Sequence, residues 1–451
     1  MPSSFRDPSG FVFQRDGVLL RQVNPSYRAH YDRLVASGLL DELTRDERLV
    51  RHEELPSGDG AYKVLRPERI PFISYPSEWA FSQLRDAALT TLEVQARALA
   101  RGMSLKDASA YNIQFLRGRP ILIDTLSFET HEDGAPWVAY RQFCQHFLAP
   151  LALVAYRDHR LTQLFRVFMD GVPLDLASPL LPRTSWLRPS LTMHLHLHAA
   201  AQRRHAGRTD GAARQTRLRP GSLAALIENL RSLISSLKWT PAGTEWADYY
   251  SATNYTDAAL AEKEAAVTRM LERLQPSIVW DLGANTGRFS RIASTRGILT
   301  MAFDVDAAAV EKNYRACVSS GNQWELPLVM DLVNPSGGIG WAGDERMSLE
   351  SRGPADVVMA LALIHHLALS NNVPLPLIAG YLARLGRHLI IEFVPKSDSQ
   401  VQRLLASRVD IFDHYTREGF QRAFESAFIT ESVHEISGTD RVLYSMRRRA
   451  S

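Results

Sequence analysis

Residues 278–306 constrain this chain more than any other stretch. One apolar run, Ile278 to Leu282, opens onto a turn carrying Gly283, Asn285 and Gly287, and a second, Ile298 to Phe303, ends at Asp304. Short continuous apolar runs read as strands buried on both faces, as in a parallel sheet covered by helices. The turn needs residues that tolerate left-handed backbone and let a ligand pass close to the main chain. Glycine satisfies both demands, and Asn is among the least penalised substitutes. In open α/β sheets such a turn lies at the carboxyl ends of the strands, where ligands bind.

The acid and the spacing narrow the ligand. An acidic residue ending the second strand, here Asp304, meets ribose hydroxyls, which points to an adenosine-containing cofactor. A dinucleotide fingerprint requires a third glycine so that the helix N-terminus can cradle a pyrophosphate. This chain has Gly283-Ala-Asn285-Thr-Gly287 and then Arg288. The pattern resembles motif I of the class I S-adenosylmethionine (SAM) methyltransferases, whose cofactor has no phosphate. The resemblance implies that Asp281, Gly283, Asn285 and Gly287 lie near the methionine part and Asp304 near the ribose. Asp306 either shares the ribose or caps the helix beginning at Ala307. Asp331, ending the third strand, stands against the adenine amino group or caps a loop.

The rest of the C-terminal half repeats the alternation. Further strands are predicted at Leu326–Met330, Asp356–Ala362 and His388–Val394, and Val267, Met270, Leu271 and Leu274 fall at helical spacing before the first strand. Phe428–Ile436 and Arg441–Met446 flank Gly438-Thr439-Asp440, the signature of an antiparallel hairpin. Five strands alternating with helices and then a hairpin is the layout of the class I methyltransferase fold, a seven-stranded Rossmann-like α/β sheet. The resemblance covers residues 240–448 and is similar to that of bacterial nodulation host-specificity methyltransferases. After the fourth strand, Leu361-Ala-Leu-Ile-His365-His366-Leu367 supplies imidazoles able to take a proton from an acceptor, or to cap a helix and pack. Glu392, within Ile-Ile-Glu-Phe-Val, is a carboxylate on a buried strand; it faces the active site or joins an ion pair. Upstream, Trp246, Tyr249, Tyr250 and Tyr255 are candidates to fold over the cofactor, Tyr250 above all, or else pack between domains.

The N-terminal half carries a different pattern. Residues 105–124 include Asp107, then Asn112, a turn at Arg117-Gly118-Arg119-Pro120, and Asp124. This resembles the catalytic segment of kinase-like folds of the aminoglycoside phosphotransferase type, in which an Asp, an Asn and a metal-binding Asp recur in that order. Leu105-Lys106 stands where His ordinarily precedes the Asp, no glycine-rich loop lies upstream, and Lys63 is the one ATP-lysine candidate. The departures point to a degenerate domain used for recognition or scaffolding. Within His194-Leu-His196-Leu-His198, His194 and His198 could stand on one helix face as a zinc-type pair, but no Glu or third ligand accompanies them. No metal is called.

The organisation read from these features is an accessory domain over 1–201, an Arg- and Gly-rich linker with a connecting helix over 202–239, and a methyltransferase domain over 240–451. With 451 residues, 45% hydrophobic and 22% charged, a net charge of +3 and two cysteines, Cys144 and Cys317, the chain reads as a cytoplasmic globular protein. The N-terminus lacks a basic-then-apolar leader pattern, and no apolar stretch matches a membrane span. The expected activity is SAM-dependent methylation of a small molecule, with neither membrane nor nucleic acid as partner. A bifunctional kinase–methyltransferase and a SAM-binding scaffold without catalysis are the alternatives.

Overall fold

The computed structural model describes residues 4–56, 58, 60–205, 219, 221–241, 256–406 and 409–450. The chain divides into two compact units, one of Met1–Thr240 with Gly338–Arg346, the other of Pro241–Gly337 with Met347–Ser451.

In the first unit, β1 (Gly10–Arg15), β2 (Val18–Val23), β3 (His52–Leu55) and β4 (Lys63–Pro67) form an antiparallel sheet in the order β1-β2-β4-β3. Asp16 and Gly17 both take positive φ, 52° and 76°, which closes the β1–β2 hairpin. Val23, Tyr27, Tyr31, Leu65 and Leu126 are buried together beneath this sheet. The helix Phe81–Ala100 follows. Then come β5 (Met103–Leu105), the hairpin of β6 (Ile113–Leu116) with β7 (Arg119–Leu122), and β8 (Phe128–Thr130), which pairs with β5. The helix Ser222–Ser236, expected as part of a connector, packs its buried Leu223, Ile227, Leu230 and Ile234 within this unit. Gly338–Arg346, although encoded between two strands of the other unit, also belongs here. Glu345 pairs with Arg6 at 2.7 Å, and the Arg346 guanidinium lies 4.5 Å from the centre of the Tyr111 ring.

The second unit is built on β9 (Ile278–Leu282), β10 (Leu299–Asp304), β11 (Glu325–Val329), β12 (Ala355–Ala360), β13 (Gly386–Phe393), β14 (Phe428–Glu435) and β15 (Val442–Arg448). The order is β11-β10-β9-β12-β13-β15-β14. Strands β9 to β13 pair in parallel, and β15 enters antiparallel between β13 and β14. The helix Asp257–Leu274 buries Val267, Met270 and Leu271 against Val279, Val357, Met359, Ile390 and Leu443. Each such side chain contributes roughly 1.5–3 kcal/mol by leaving water. Strand order reverses between β9 and β12, and in open α/β sheets the crevice beyond the carboxyl ends at such a reversal is where ligands bind. Among the described residues, no helix is long and apolar enough to cross a membrane.

Candidate active site

The turn after β9 is shaped by left-handed backbone. Gly283, Asn285 and Gly287 have φ of 79°, 50° and 79°. The Gly283 and Ala284 amides both donate to the Phe303 carbonyl, at 2.8 and 2.9 Å, which stitches the turn to the end of β10. A Cβ on Gly287 would stand 2.4 Å from Asn313 Oδ1 and 2.5 Å from Glu325 Oε1. Those two groups form a buried pair: Asn313 Nδ2 donates to Glu325 Oε1 at 2.8 Å, and Ser294 donates to the other Glu325 oxygen at 2.9 Å. The absent side chain at 287 is therefore a packing requirement as well as a dihedral one.

Four acids stand at or just beyond this end of the sheet. Asp281 is buried and accepts the Ser290 hydroxyl at 2.6 Å; burial, with the charges of Glu325 and Asp304, pushes its carboxyl up to about 7. Asp304 clamps the turn, one oxygen accepting the Asn285 amide at 2.7 Å and the other the Asp306 amide at 2.8 Å. Burial lifts it to about 6 against those two hydrogen bonds. Asp306 caps the helix Ala307–Ser320 through Oδ1, while its buried Oδ2 has no hydrogen-bond partner. Of the two readings of Asp306, the capping one describes Oδ1, and Oδ2 is an acceptor awaiting a donor. Val305, 57% exposed between the two acids, offers an apolar face that the sequence reading missed. Its signal was an apolar residue between two acids at a strand end. Asp331 is exposed, and its carboxylate accepts the Val333 amide at 2.9 Å, so it shapes the loop after β11.

Across the crevice, the chain leaves β12 through Ala362, held left-handed at φ 50°. The Leu363 carbonyl then accepts the His366 amide at 3.0 Å, which starts the short helical segment bearing both imidazoles. The rings of His365 and His366 are 4.1 Å apart, centre to centre. His365 is fully buried and neither ring nitrogen has a hydrogen-bond partner. Burial pushes its imidazole well below the usual range, helped by His366, Arg441 and Lys263. His366 is only partly buried and is pushed down to about 4, by burial and then by Arg441. Both rings are consequently neutral near pH 7.

Glu392 does not present an open carboxylate to this crevice. It has no exposed surface; Lys263 Nζ lies 2.7 Å from Oε2, which also accepts the Ala362 amide at 2.7 Å. Of the two readings of Glu392, the ion pair is the one the geometry presents. A buried carboxylate requires such compensation. Sequence reasoning overlooked Lys263, although a lysine on the same helix face as Val267 and Met270 was a legible signal. Trp246, Tyr249, Tyr250 and Tyr255 lie outside the described residues, as does most of the Arg- and Gly-rich stretch.

The first unit gathers a second polar cluster. Asp107 accepts the Ser109 amide at 2.9 Å and is also hydrogen-bonded by Asn112 and Gln142; burial and the Asp124 charge raise its carboxyl. Asn112 donates to Ser127 at 3.2 Å, and Ser127 donates to Asp124 at 2.6 Å. The cation beside Asp124 is the chain's own: Arg21 Nη2 lies 2.5 Å from Oδ1. Lys63 sits 2.5 Å from Glu54 on the adjoining strand. Replacing Asp124 by Asn is therefore expected to leave nucleotide behaviour unchanged, with no magnesium-dependent ATP binding in the parent by calorimetry. Binding that vanishes in the variant would instead make Asp124 a metal ligand.

The histidine trio is internally satisfied. His194 Nε2 lies 2.8 Å from Asn229 Oδ1, which can only accept, so the ring donates there and receives the Tyr140 hydroxyl at Nδ1, 2.7 Å away. His196 lies between Ser178 and Ser185, each at 2.8 Å, and the His198 ring stacks on Tyr140. Among the described residues, no group of three or more His, Cys, Asp or Glu is arranged to hold a metal ion.

The second unit thus brings a left-handed glycine turn and a set of acids to the carboxyl ends of β9 and β10, beside the reversal of strand order. No family model matches the chain. It is 36% identical over 457 residues to the nodulation protein NoeA of Rhizobium meliloti (strain 1021), covering 99% of this chain and 95% of that protein. The chain belongs to the NoeA family. Solved structures with partial likeness include magnesium protoporphyrin IX methyltransferase (ChlM) from Synechocystis PCC 6803 with bound SAM, at 16% identity and a TM-score of 0.31, covering 46% of this chain and 86% of that one. Another is the N-methyltransferase NodS from Bradyrhizobium japonicum WM9, at 11% identity and a TM-score of 0.30, covering 43% of this chain and 98% of that one.

Proposed function

We propose that the protein is a SAM-dependent methyltransferase acting on a small-molecule acceptor. The observation that carries this reading is the coincidence of three features at one reversal of strand order. These are the left-handed glycine turn after β9, the clamped Asp304 after β10, and the paired imidazoles after β12. SAM fits the residues present. Gly283 and Gly287 present no side chain in the turn, Asp306 Oδ2 is a buried acceptor without a donor, and Val305 is an exposed apolar surface beside it. Asp304 and Asp306 would take the ribose hydroxyls, Val305 the adenine face, and Asp281 the cationic methionine end. Asp331 keeps its proposed place by the adenine amino group.

When bound, SAM supplies an electrophilic methyl carbon; the protein's part is alignment, exclusion of water and control of a proton. His366 is the proposed base, because it combines partial exposure with a neutral ring at pH 7. An imidazole pushed down to about 4 is a weak base toward a resting hydroxyl or amine. It suffices late in transfer, since the acceptor's N–H or O–H acidifies steeply as the new bond to carbon forms. His365 backs this ring from a fully buried position. The relative's name ties it to nodulation, and the acceptor is best sought among small molecules made in that setting. Comparing metabolites of a deletion strain and its parent should reveal one compound lighter by a methylene.

Asp304→Ala is expected to weaken SAM binding by roughly 2–3 kcal/mol, because hydrogen bonds assisted by its charge are lost. A variant that binds normally, while Asp306→Ala fails to bind, would transfer the ribose to Asp306. SAM affinity should also depend on pH. A bound cation favours the ionised forms of Asp281 and Asp304, whose carboxyls stand near 7 and 6 in the free protein. Binding then releases protons, and affinity falls as pH drops below 7, by at most about tenfold per unit for each proton. Calorimetry in buffers of different ionisation enthalpy counts those protons. Zero protons released at pH 6.5 would contradict this assignment of charge.

A further inference from the structure

Lys263 comes from the helix before β9, Glu392 from β13, and Arg441 from the residue just before the hairpin strand β15, yet their charged ends meet in the interior of the second unit. Lys263 Nζ is 2.7 Å from Glu392 Oε2, and Arg441 Nη1 is 3.7 Å from Oε1. All three residues are at most 2% exposed. Arg441 is held in turn by Asp398, through Nε at 2.8 Å. The Lys263 ammonium also lies 4.7 Å from the centre of the Phe289 ring, just after the glycine turn. Burying several charges is unfavourable unless each finds partners, and packing alone would be met as well by apolar side chains. What such side chains could not supply is an acceptor for the Ala362 amide, which donates to Glu392 Oε2 at 2.7 Å.

Ala362 is the elbow of the candidate site. It is a non-glycine residue at φ 50°, a conformation that L side chains adopt at a cost. The segment carrying His365 and His366 starts immediately after it. Such an elbow persists when its surroundings over-determine it, and here the anchor is the short hydrogen bond to a buried, ion-paired carboxylate.

We propose that Lys263, Glu392 and Arg441 are positioning residues of the methyl-transfer site: the ion-paired Glu392 carboxylate fixes Ala362 in its left-handed elbow and thereby sets where the two imidazoles stand. The inference rests on the methyltransferase reading for its purpose, while the mechanical claim can be tested separately. The same network shapes the electrostatics of the elbow, because the cations that hold Glu392 also face the histidines. Arg441 lowers both imidazoles, and Lys263 lowers His365.

The test uses the full chain in two variants. Glu392→Gln keeps an oxygen that can accept the Ala362 amide. The double variant Lys263→Met, Glu392→Leu replaces the pair by apolar side chains of similar size, which buried pairs often tolerate, and removes the acceptor. Hydrogen exchange of the peptide spanning residues 361–369, read by mass spectrometry, is expected to accelerate by about tenfold or more in the double variant and to stay within about twofold of the parent in Glu392→Gln. The His365 resonance, read by NMR with ring-labelled histidine, should titrate at higher pH in the double variant, which lacks the Lys263 ammonium, whereas S-adenosylhomocysteine affinity should stay within about threefold in both. Unchanged exchange in the double variant, or equal acceleration in Glu392→Gln, would overturn the proposal. Failure of the parent to bind S-adenosylhomocysteine would refute the methyltransferase reading alone, because the exchange comparison needs no ligand.

Discussion

Gly287→Val should abolish SAM binding while leaving most of the protein folded. At φ 79° a valine is disfavoured by its own backbone, and the nearest neighbours of its Cβ would be Asn313 Oδ1 at 2.4 Å and Glu325 Oε1 at 2.5 Å. Neither neighbour can yield cheaply. Asn313 and Glu325 are buried, they bond each other, and Ser294 and Arg291 reach the same pair. Relief must therefore come from the turn itself, whose Asn285 amide is the donor that Asp304 holds. Displacing the turn releases the acid proposed for the ribose, so one substitution strikes two contacts. The cost to binding is expected to exceed about 3 kcal/mol, combining strain with lost hydrogen bonds. Gly287→Ala should fall between parent and valine. Calorimetry on variants shown folded by circular dichroism provides the check, and a valine variant that binds like the parent would remove the turn from the site.

The second large effect concerns His366. Its replacement by Ala is expected to slow methyl transfer by about 10²–10⁴-fold, the usual contribution of a positioned base, with SAM affinity nearly unchanged. His365→Ala should behave differently. That ring is fully buried and unpartnered, so its loss should act first on stability. The two also differ in their pH signature. A buried imidazole whose pKa is depressed on folding adds stability that is complete above its unfolded value, near 6.5. That stability is lost as pH falls toward the folded value, about 4 for His366. Asp281 and Asp304 act in the opposite sense: their raised carboxyls favour the folded state at low pH and lose that contribution as pH rises toward about 7 and 6. Removing His365 should therefore flatten the loss of stability below pH 6.5, which urea titrations across pH would read. Equal losses of binding and rate from both histidines would make both structural.

Much of the second unit was legible because parallel strands buried on both faces must be continuously apolar. Ile278–Leu282 was placed to the residue, the other strands to within a few residues, and the hairpin followed from Gly438. Spacing alone located the turn. What sequence could not convey is how polar side chains pair across distant elements. Glu392 was ambiguous because its partner, Lys263, is supplied by a helix far upstream, and the anchoring of Ala362 depends on both. Gly338–Arg346 gave no sign of joining the first unit, since Glu345 and Arg346 look like ordinary loop charges until Arg6 and Tyr111 meet them. In the first unit, Asp107, Asn112 and Asp124 do converge, but local spacing was silent about Arg21, which pairs with Asp124.

The central claim is that the second unit's crevice holds SAM, and direct titration of the full-length protein with SAM and with S-adenosylhomocysteine tests it most simply. Saturable binding of both in the micromolar range, lost in Gly287→Val and weakened in Asp304→Ala, is the predicted result. A folded protein that binds neither ligand would contradict the account.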